Sequence, residues 1–74
     1  MSEIVFIVEE AAEGGFTARA LGTSIYTEAD SLEELRDAVV DAVHCHFDSA
    51  AMRPKVIRLH RVVDELLPVD RTAA

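Results

Sequence analysis

Three consecutive side chains, His44, Cys45 and His46, are the residues of this chain whose types best suit chemistry. Imidazole nitrogen and thiolate sulfur bind zinc and copper, and a thiolate can also act as a nucleophile. The spacing opposes a shared metal ion, because consecutive residues of a helix point about 100° apart. A nucleophilic thiol also needs an aligned base, which the sequence does not show. We therefore expect no metal ligand, no catalytic residue and no cofactor.

Each of these three residues has an ordinary role on the helix that the sequence predicts for this region. His46 falls within the apolar side of that helix, where we expect a hydrogen-bonded core histidine. His44 falls among carboxylates and is expected in solvent, while Cys45 lies on the flank. A small metal- or thiol-dependent enzyme is therefore the third functional hypothesis, behind two kinds of binding protein.

A second group of residues is suited to recognition, because its carboxylates share the solvent side of the predicted helix: Glu34, Asp37, Asp41 and Asp48. Such a group ordinarily keeps a protein soluble. Its functional alternative is a docking surface for a small basic protein, since complementary charge speeds association and adds specificity. Both interpretations stay open at this point.

The overall composition limits the classes of partner. Fourteen acidic residues against seven basic ones give a net charge of -7, which repels the phosphates of nucleic acids. No apolar run approaches the roughly 18 residues of a membrane span, and the N-terminal sequence lacks the pattern of a signal peptide. We expect a cytoplasmic protein that binds neither nucleic acid nor membrane, and one cysteine agrees with a reducing compartment.

The elements that must position these side chains begin with three strands. Residues Glu3 to Glu10, EIVFIVEE, are β-branched and aromatic and predict a strand. Gly14 and Gly15 favour a hairpin turn into a second strand over Phe16 to Ala20. A third strand is predicted over Ser24 to Glu28.

A helix and a fourth strand follow. Ser31 with Glu34 three residues later forms a capping-box pattern, which predicts a helix from about Leu32 to Phe47. Its apolar side is formed by residues at helical spacing: Leu32, Leu35, Val39, Ala42, Val43, His46 and Phe47. Pro54 marks a loop, and the alternation in Lys55 to Val63 predicts the last strand.

The order β-β-β-α-β predicts an α+β fold, a mixed sheet of order 3-2-1-4 with one helix on one face. The first strand is apolar on both faces, so it should be central. A single helix leaves Val5 and Ile7 uncovered on the other face, and a chain this short gains stability from association. We therefore expect a homodimer or larger oligomer that associates through Val5 and Ile7.

Two segments, EGGF at Glu13 to Phe16 and YTEADSLEEL at Tyr26 to Leu35, resemble the N-terminal domain of HicB-type antitoxins. The resemblance covers roughly residues 3–48. It implies a partial ribonuclease-H-like fold without catalytic carboxylates and a HicA-like toxin ribonuclease as partner. Two departures limit it: Leu21 to Ser24 replaces the usual proline-glycine pair, and nothing after Val63 predicts the DNA-binding domain that family members usually carry.

The sequence thus predicts one HicB-like domain over residues 1–66 and a flexible C-terminal tail over residues 67–74. The leading functional hypothesis is a protein-binding domain, not an enzyme, that masks a small basic toxin-like protein. The alternative is a self-assembling structural or scaffold protein without a toxin partner.

Overall fold

A four-stranded mixed sheet carries one helix on one of its faces. The computed structural model describes residues 2–70. Its elements are β1 (Glu3–Glu10), β2 (Phe16–Ala20), β3 (Tyr26–Ala29), α1 (Leu32–His46) and β4 (Val56–Val62). The strands lie in the order β3-β2-β1-β4. The α+β class and the sheet order predicted from the sequence are confirmed.

Strand β1 lies in the interior of the sheet because it is apolar on both of its faces. It pairs antiparallel with β2 and parallel with β4, and Ile4, Phe6 and Val8 are buried beneath the helix. The side chains of Val5 and Ile7 point to the opposite face, as the alternation of a strand requires. The connection from β3 through α1 to β4 is the crossover that returns the chain parallel to β1.

The β1–β2 turn needs glycine at two positions. Gly14 and Gly15 have φ angles of 102° and 83°, in the region that L side chains rarely adopt. Gly15 is also sterically confined, because a Cβ there would lie 2.8 Å from the carbonyl oxygen of Ala29. The turn is closed by the Ala11 N–H, which donates to the Gly15 carbonyl at 2.9 Å.

Strand β3 begins at Tyr26, two residues later than the sequence predicted. The Ile25 N–H donates to the Thr23 carbonyl at 2.9 Å, inside the turn. The Ile25 side chain is nevertheless buried, with 7% of its surface exposed. Ile25 therefore packs into the core although it lies in a turn. A β-branched residue type alone does not show whether a buried residue lies in a turn or in a strand.

Helix α1 begins as its capping box predicted. The Ser31 side chain accepts from the Glu34 N–H at 3.1 Å, and the Ser31 hydroxyl donates to the Glu34 carboxylate at 3.1 Å. Leu35, Val39 and Val43 are buried against the sheet. The helix ends at His46, because Phe47 turns to an extended conformation with φ -109° and ψ 100°.

The helix packs against β2 and β3, which leaves β4 as a less covered edge. Ile57 and Leu59 of β4 are therefore only partly buried. Residues 63–70 form neither strand nor helix, and the molecule measures 60 Å along its longest axis against 21 and 18 Å along the others. Of the predicted tail, residues 71–74 lie outside the described residues.

Candidate functional site

His44, Cys45 and His46 occupy the last turn of α1, and all three are exposed. The prediction of a core histidine at position 46 is wrong. His46 makes an edge-on contact with the ring of Phe47, with the ring centroids 4.9 Å apart. Within residues 2–70, no three His, Cys, Asp or Glu side chains come together as a possible ligand set for a metal ion. Because His44, Cys45 and His46 are exposed, packing in the core does not explain any of the three.

The helix presents carboxylates to solvent on the side opposite its buried residues. Glu34, Asp37 and Asp41 are exposed there, as helical spacing predicted, and we call these three the acidic helix surface. Asp48 is also exposed but lies beyond the end of α1, so the helical spacing that grouped it with the others does not apply to it. The predicted stripe is thus one residue shorter than the sequence suggested.

An acidic hollow adjoins this surface at the N-terminal end of α1. It has a volume of about 550 Å³, and its charged lining residues are all acidic: Glu13, Glu28, Asp30 and Glu34. The β1–β2 turn, β3 and the helix start each contribute. Glu34 belongs to both the hollow and the helix surface, so the two form one continuous negative region.

Sequence reasoning missed three of the four acidic residues that line the hollow. Glu13 lies in the β1–β2 turn, and Glu28 and Asp30 flank the end of β3, so no short motif unites them with Glu34. The signal that could have found them is the predicted topology. The antiparallel pairing of β2 with β3 brings Phe16 opposite Ala29, and the turn before Phe16 therefore reaches the start of the helix.

Tyr26 ionises less readily than an ordinary tyrosine. Its hydroxyl donates to the Glu28 carboxylate at 3.3 Å on the open face of the sheet. Partial desolvation, the negative charge of Glu28 and this hydrogen bond all raise the pKa of the Tyr26 phenol. The side chain keeps 62% of its surface exposed and thus offers a neutral aromatic contact near the loop that begins at Leu21.

The open face of the sheet is mixed in character. Val5 and Ile7 are half-buried, and their neighbours on β4 are Arg58 and His60. Arg58 forms an ion pair with Glu3 on the same face. Association through Val5 and Ile7 stays a prediction, and a partner there would have to contact charged as well as apolar side chains.

The loop after α1 is fastened by a residue that sequence reasoning did not single out. The Arg53 guanidinium is half-buried and donates to the Phe47 carbonyl at 3.0 Å. A cation near a helix C-terminus is favourable because the last carbonyls carry partial negative charge. Arg53 therefore fixes the path from the helix to buried Pro54 and on to β4.

No helix within the described residues is long and apolar enough to cross a membrane. This finding concerns residues 2–70 alone.

Two curated proteins are similar to the chain. A UPF0150 protein of Archaeoglobus fulgidus is 57% identical over 53 residues, which cover 72% of this chain and 77% of the relative. A UPF0150 protein of Thermotoga maritima is 42% identical over 67 residues, covering 90% of this chain and 93% of the relative. No protein-family model matches the chain. No solved structure matches it either.

Proposed function

The chain belongs to the UPF0150 family, and we propose that it is a protein-binding domain that holds a small basic protein against the acidic helix surface and the acidic hollow. Binding, not catalysis, is the activity proposed. The observation that carries the proposal is the continuity of the two acidic regions through Glu34. Acidic residues of the β1–β2 turn, of β3 and of the helix line the same hollow, whereas a surface that serves only solubility needs no such grouping.

The physical consequence of this grouping of acidic residues is a concentrated negative field. Charges around a concave surface attract an oppositely charged partner and raise its association rate by about 10 to 1,000-fold. The hollow also gives a protruding basic side chain a place that is lined by acidic residues. A lysine or arginine of the partner would supply the hydrogen bonds that these carboxylates accept.

The kind of partner follows from the resemblance to HicB-type antitoxins. EGGF supplies Glu13 of the hollow, and YTEADSLEEL supplies Glu28, Asp30 and Glu34. The segments that carry the resemblance thus contribute all the charged lining of the hollow. We infer that the partner is a HicA-like toxin ribonuclease, masked sterically when its basic surface docks.

The test measures association with any small basic protein that is found to be encoded beside this gene. Asp37→Lys with Asp41→Lys should slow association at least about tenfold, while the wild-type association rate falls as salt rises. Both residues are exposed on the solvent side of the helix, so the far-ultraviolet circular dichroism of the variant should match that of the wild type. Stopped-flow mixing at several salt concentrations gives the rates.

The matched control is Glu9→Lys with Glu10→Lys. It makes the same change of net charge at exposed positions that line a different hollow, between the end of β1 and Val62 to Asp64, which shares only Ala11 with the acidic hollow. The proposal requires this control to associate more than about threefold faster than the helix variant. Equal rates for the two variants would show that only net charge matters and would contradict docking on the helix. A gene with no basic neighbour would instead favour the self-assembling scaffold.

A further inference from the structure

Strand β4 has one edge without a partner in the described structure, and the hydrogen-bonding groups on that edge can be identified. The Val56 N–H donates to the Ser2 carbonyl at 3.0 Å, toward β1. Alternate residues of a strand direct their backbone groups to the same neighbour. The backbone groups of Ile57, Leu59 and Arg61 therefore point to the free edge, and a strand with such an edge is a template for pairing with another chain.

The segment that continues β4 is apolar and exposed. Val63, Leu66, Leu67 and Val69 expose 73%, 94%, 63% and 98% of their surfaces. Segment 63–70 follows β4 directly, and its exposure agrees with the long axis of the molecule. Segment 63–70 of one copy can therefore pair with the free edge of β4 of another copy.

We propose that two copies of this chain pair antiparallel through β4 and segment 63–70 about a two-fold axis at Val63. Each Val63 then lies opposite its counterpart, and segment 63–70 of one copy becomes a strand on the free edge of β4 of the other. This pairing uses a different surface from the acidic helix surface, and it does not depend on the docking proposed above. The partner that fits this edge is a second copy.

The side chains on the helix side of the sheet are self-complementary in this register. Arg61 lies opposite Glu65 of the other copy, Leu59 opposite Leu67, and Ile57 opposite Val69. Ion pairs and matched apolar pairs directly opposite each other stabilise antiparallel strands.

The β4 side chains that would contact the second copy are free to do so in the single chain. Leu59 and Ile57 are only partly buried because the helix lies over β2 and β3, so added apolar neighbours would cover them. Arg61 lies over the ring of Phe16, 5.7 Å from its centre. In the part of the chain that the structure describes, no carboxylate lies within ion-pair distance of Arg61.

Neighbouring registers are less favourable. The two strands can hydrogen-bond only in registers that place residues whose backbone groups point to the free edge opposite one another. The two-fold axis can therefore pass through a residue, but not between two residues. An axis at Val62 would place Leu59 opposite Glu65. An axis at Asp64 would place that aspartate opposite its own copy, and like charges directly opposite are destabilising.

Pro68 agrees with the same register. It lies opposite Arg58, at a position whose backbone groups point away from the paired edge. The N–H that proline lacks is therefore not needed by the pair, and proline in a strand is tolerated at such positions. The axis at Val63 thus satisfies backbone, charge and apolar pairing together.

Disulfide trapping tests both the pairing and its register. In a Cys45→Ser background, Val63→Cys places two thiols opposite each other at about 5.5 Å between Cα atoms, within the range of a disulfide. The control, Leu66→Cys, carries a more exposed thiol, yet the register separates its two copies by about 20 Å. We expect Val63→Cys to form covalent dimers at least about tenfold faster than Leu66→Cys on mild oxidation.

Light scattering during size-exclusion chromatography completes the test, with a dimer expected for the wild type. A monomer at high micromolar concentration would overturn the proposal. A dimer in which Leu66→Cys is trapped as fast as Val63→Cys would also overturn it and would favour association through Val5 and Ile7. Both cysteine positions are exposed and outside the core, so neither variant should fail to fold.

Charge exchange gives a second measurement that needs no cysteine. Arg61→Glu alone and Glu65→Arg alone each place like charges opposite each other at both contacts of the dimer. Mixing the two variants makes both contacts opposite in charge, so heterodimers should exceed the statistical share by at least about threefold, as native mass spectrometry can measure. A purely statistical mixture would contradict the register.

Discussion

At the scale of single residues, the fold alters the ionisation of the Tyr26 side chain. Partial desolvation raises the pKa of the Tyr26 phenol, and the negative charge and hydrogen bond of the neighbouring Glu28 carboxylate raise it further. Cys45 and the two flanking histidines lie exposed at the end of α1. The residues whose types best suit chemistry in the sequence are thus exposed at the end of the helix.

We predict that Glu28→Gln lowers the pKa of Tyr26 toward its ordinary value. The amide keeps a hydrogen-bond acceptor but removes the negative charge that disfavours phenolate. The chain has one tyrosine and no tryptophan, so the near-ultraviolet absorbance of phenolate reports this residue alone in a pH titration. Glu33→Gln, on the helix, is the control and should leave the midpoint in place. An unchanged midpoint in Glu28→Gln would contradict the assigned cause.

The sign of the linked stability change follows from the raised pKa. The folded protein holds the Tyr26 proton more tightly than the unfolded chain does, where the pKa is about 10. The stabilisation from this residue is therefore fully present below that pH and is lost as the pH rises through the folded value. At neutral pH, Tyr26 contributes a neutral hydroxyl to the surface.

At the scale of elements, residue patterns predicted the strands and helix well but could not fix their ends. Strand β1 and strand β2 have the predicted bounds, and the Ser31 capping box begins α1 where expected. These elements are determined by local signals, namely alternation, glycine turns and a side-chain cap. The order of the strands also followed, because β1 is apolar on both faces and had to be central.

His46 shows why the rest could not be predicted. Helical spacing places it within the apolar side of α1, but spacing does not tell how far the sheet extends beneath the helix. The last turn lies at the end of the element, where Phe47 leaves the helix and His46 is exposed. The acidic hollow was missed for a related reason, because Glu13 and Asp30 meet only through tertiary structure.

The two glycines of the β1–β2 turn yield a paired prediction. Gly14→Ala should cost about 1 kcal/mol, because its positive φ is unfavourable for alanine while nothing lies within 4 Å of the new Cβ. Gly15→Ala should cost at least about 2 kcal/mol, because its Cβ would also meet the Ala29 carbonyl oxygen at 2.8 Å. Urea unfolding measures both free energies. Equal costs would show that the turn relaxes away from β3.

At the scale of the whole molecule, the described part of the chain consists of a compact sheet and helix and of the exposed segment 63–70. The Cα radius of gyration is 16.0 Å, whereas a compact chain of this length has a radius of about 11 Å. Burial agrees with this division, since the buried apolar residues lie between the sheet and the helix and those of segment 63–70 are exposed. Large exposed apolar side chains on a small protein mark an interaction surface.

The free edge of β4 and the acidic helix surface lie on different parts of the molecule, and each is proposed to bind a different partner. A second copy meets β4 and segment 63–70, while a basic protein meets the acidic helix surface. A dimer formed at the edge leaves α1 open on both copies. Each dimer would therefore present two acidic surfaces, and occupation of both by linked basic sites would raise the overall affinity above that of a single site.

Self-pairing at the edge predicts that thermal stability depends on protein concentration. Association of folded copies stabilises the folded state by mass action, so the wild-type Tm should rise when the protein is concentrated about a hundredfold. Leu67→Asp should abolish this rise, because a carboxylate would then lie opposite Leu59 of the other copy. Met52→Asp places the same charge at a similarly exposed apolar residue in the loop after α1 and should keep the rise. Scanning calorimetry at several concentrations gives the three slopes. A wild-type Tm that does not depend on concentration, or equal slopes for the two aspartate variants, would contradict pairing through segment 63–70.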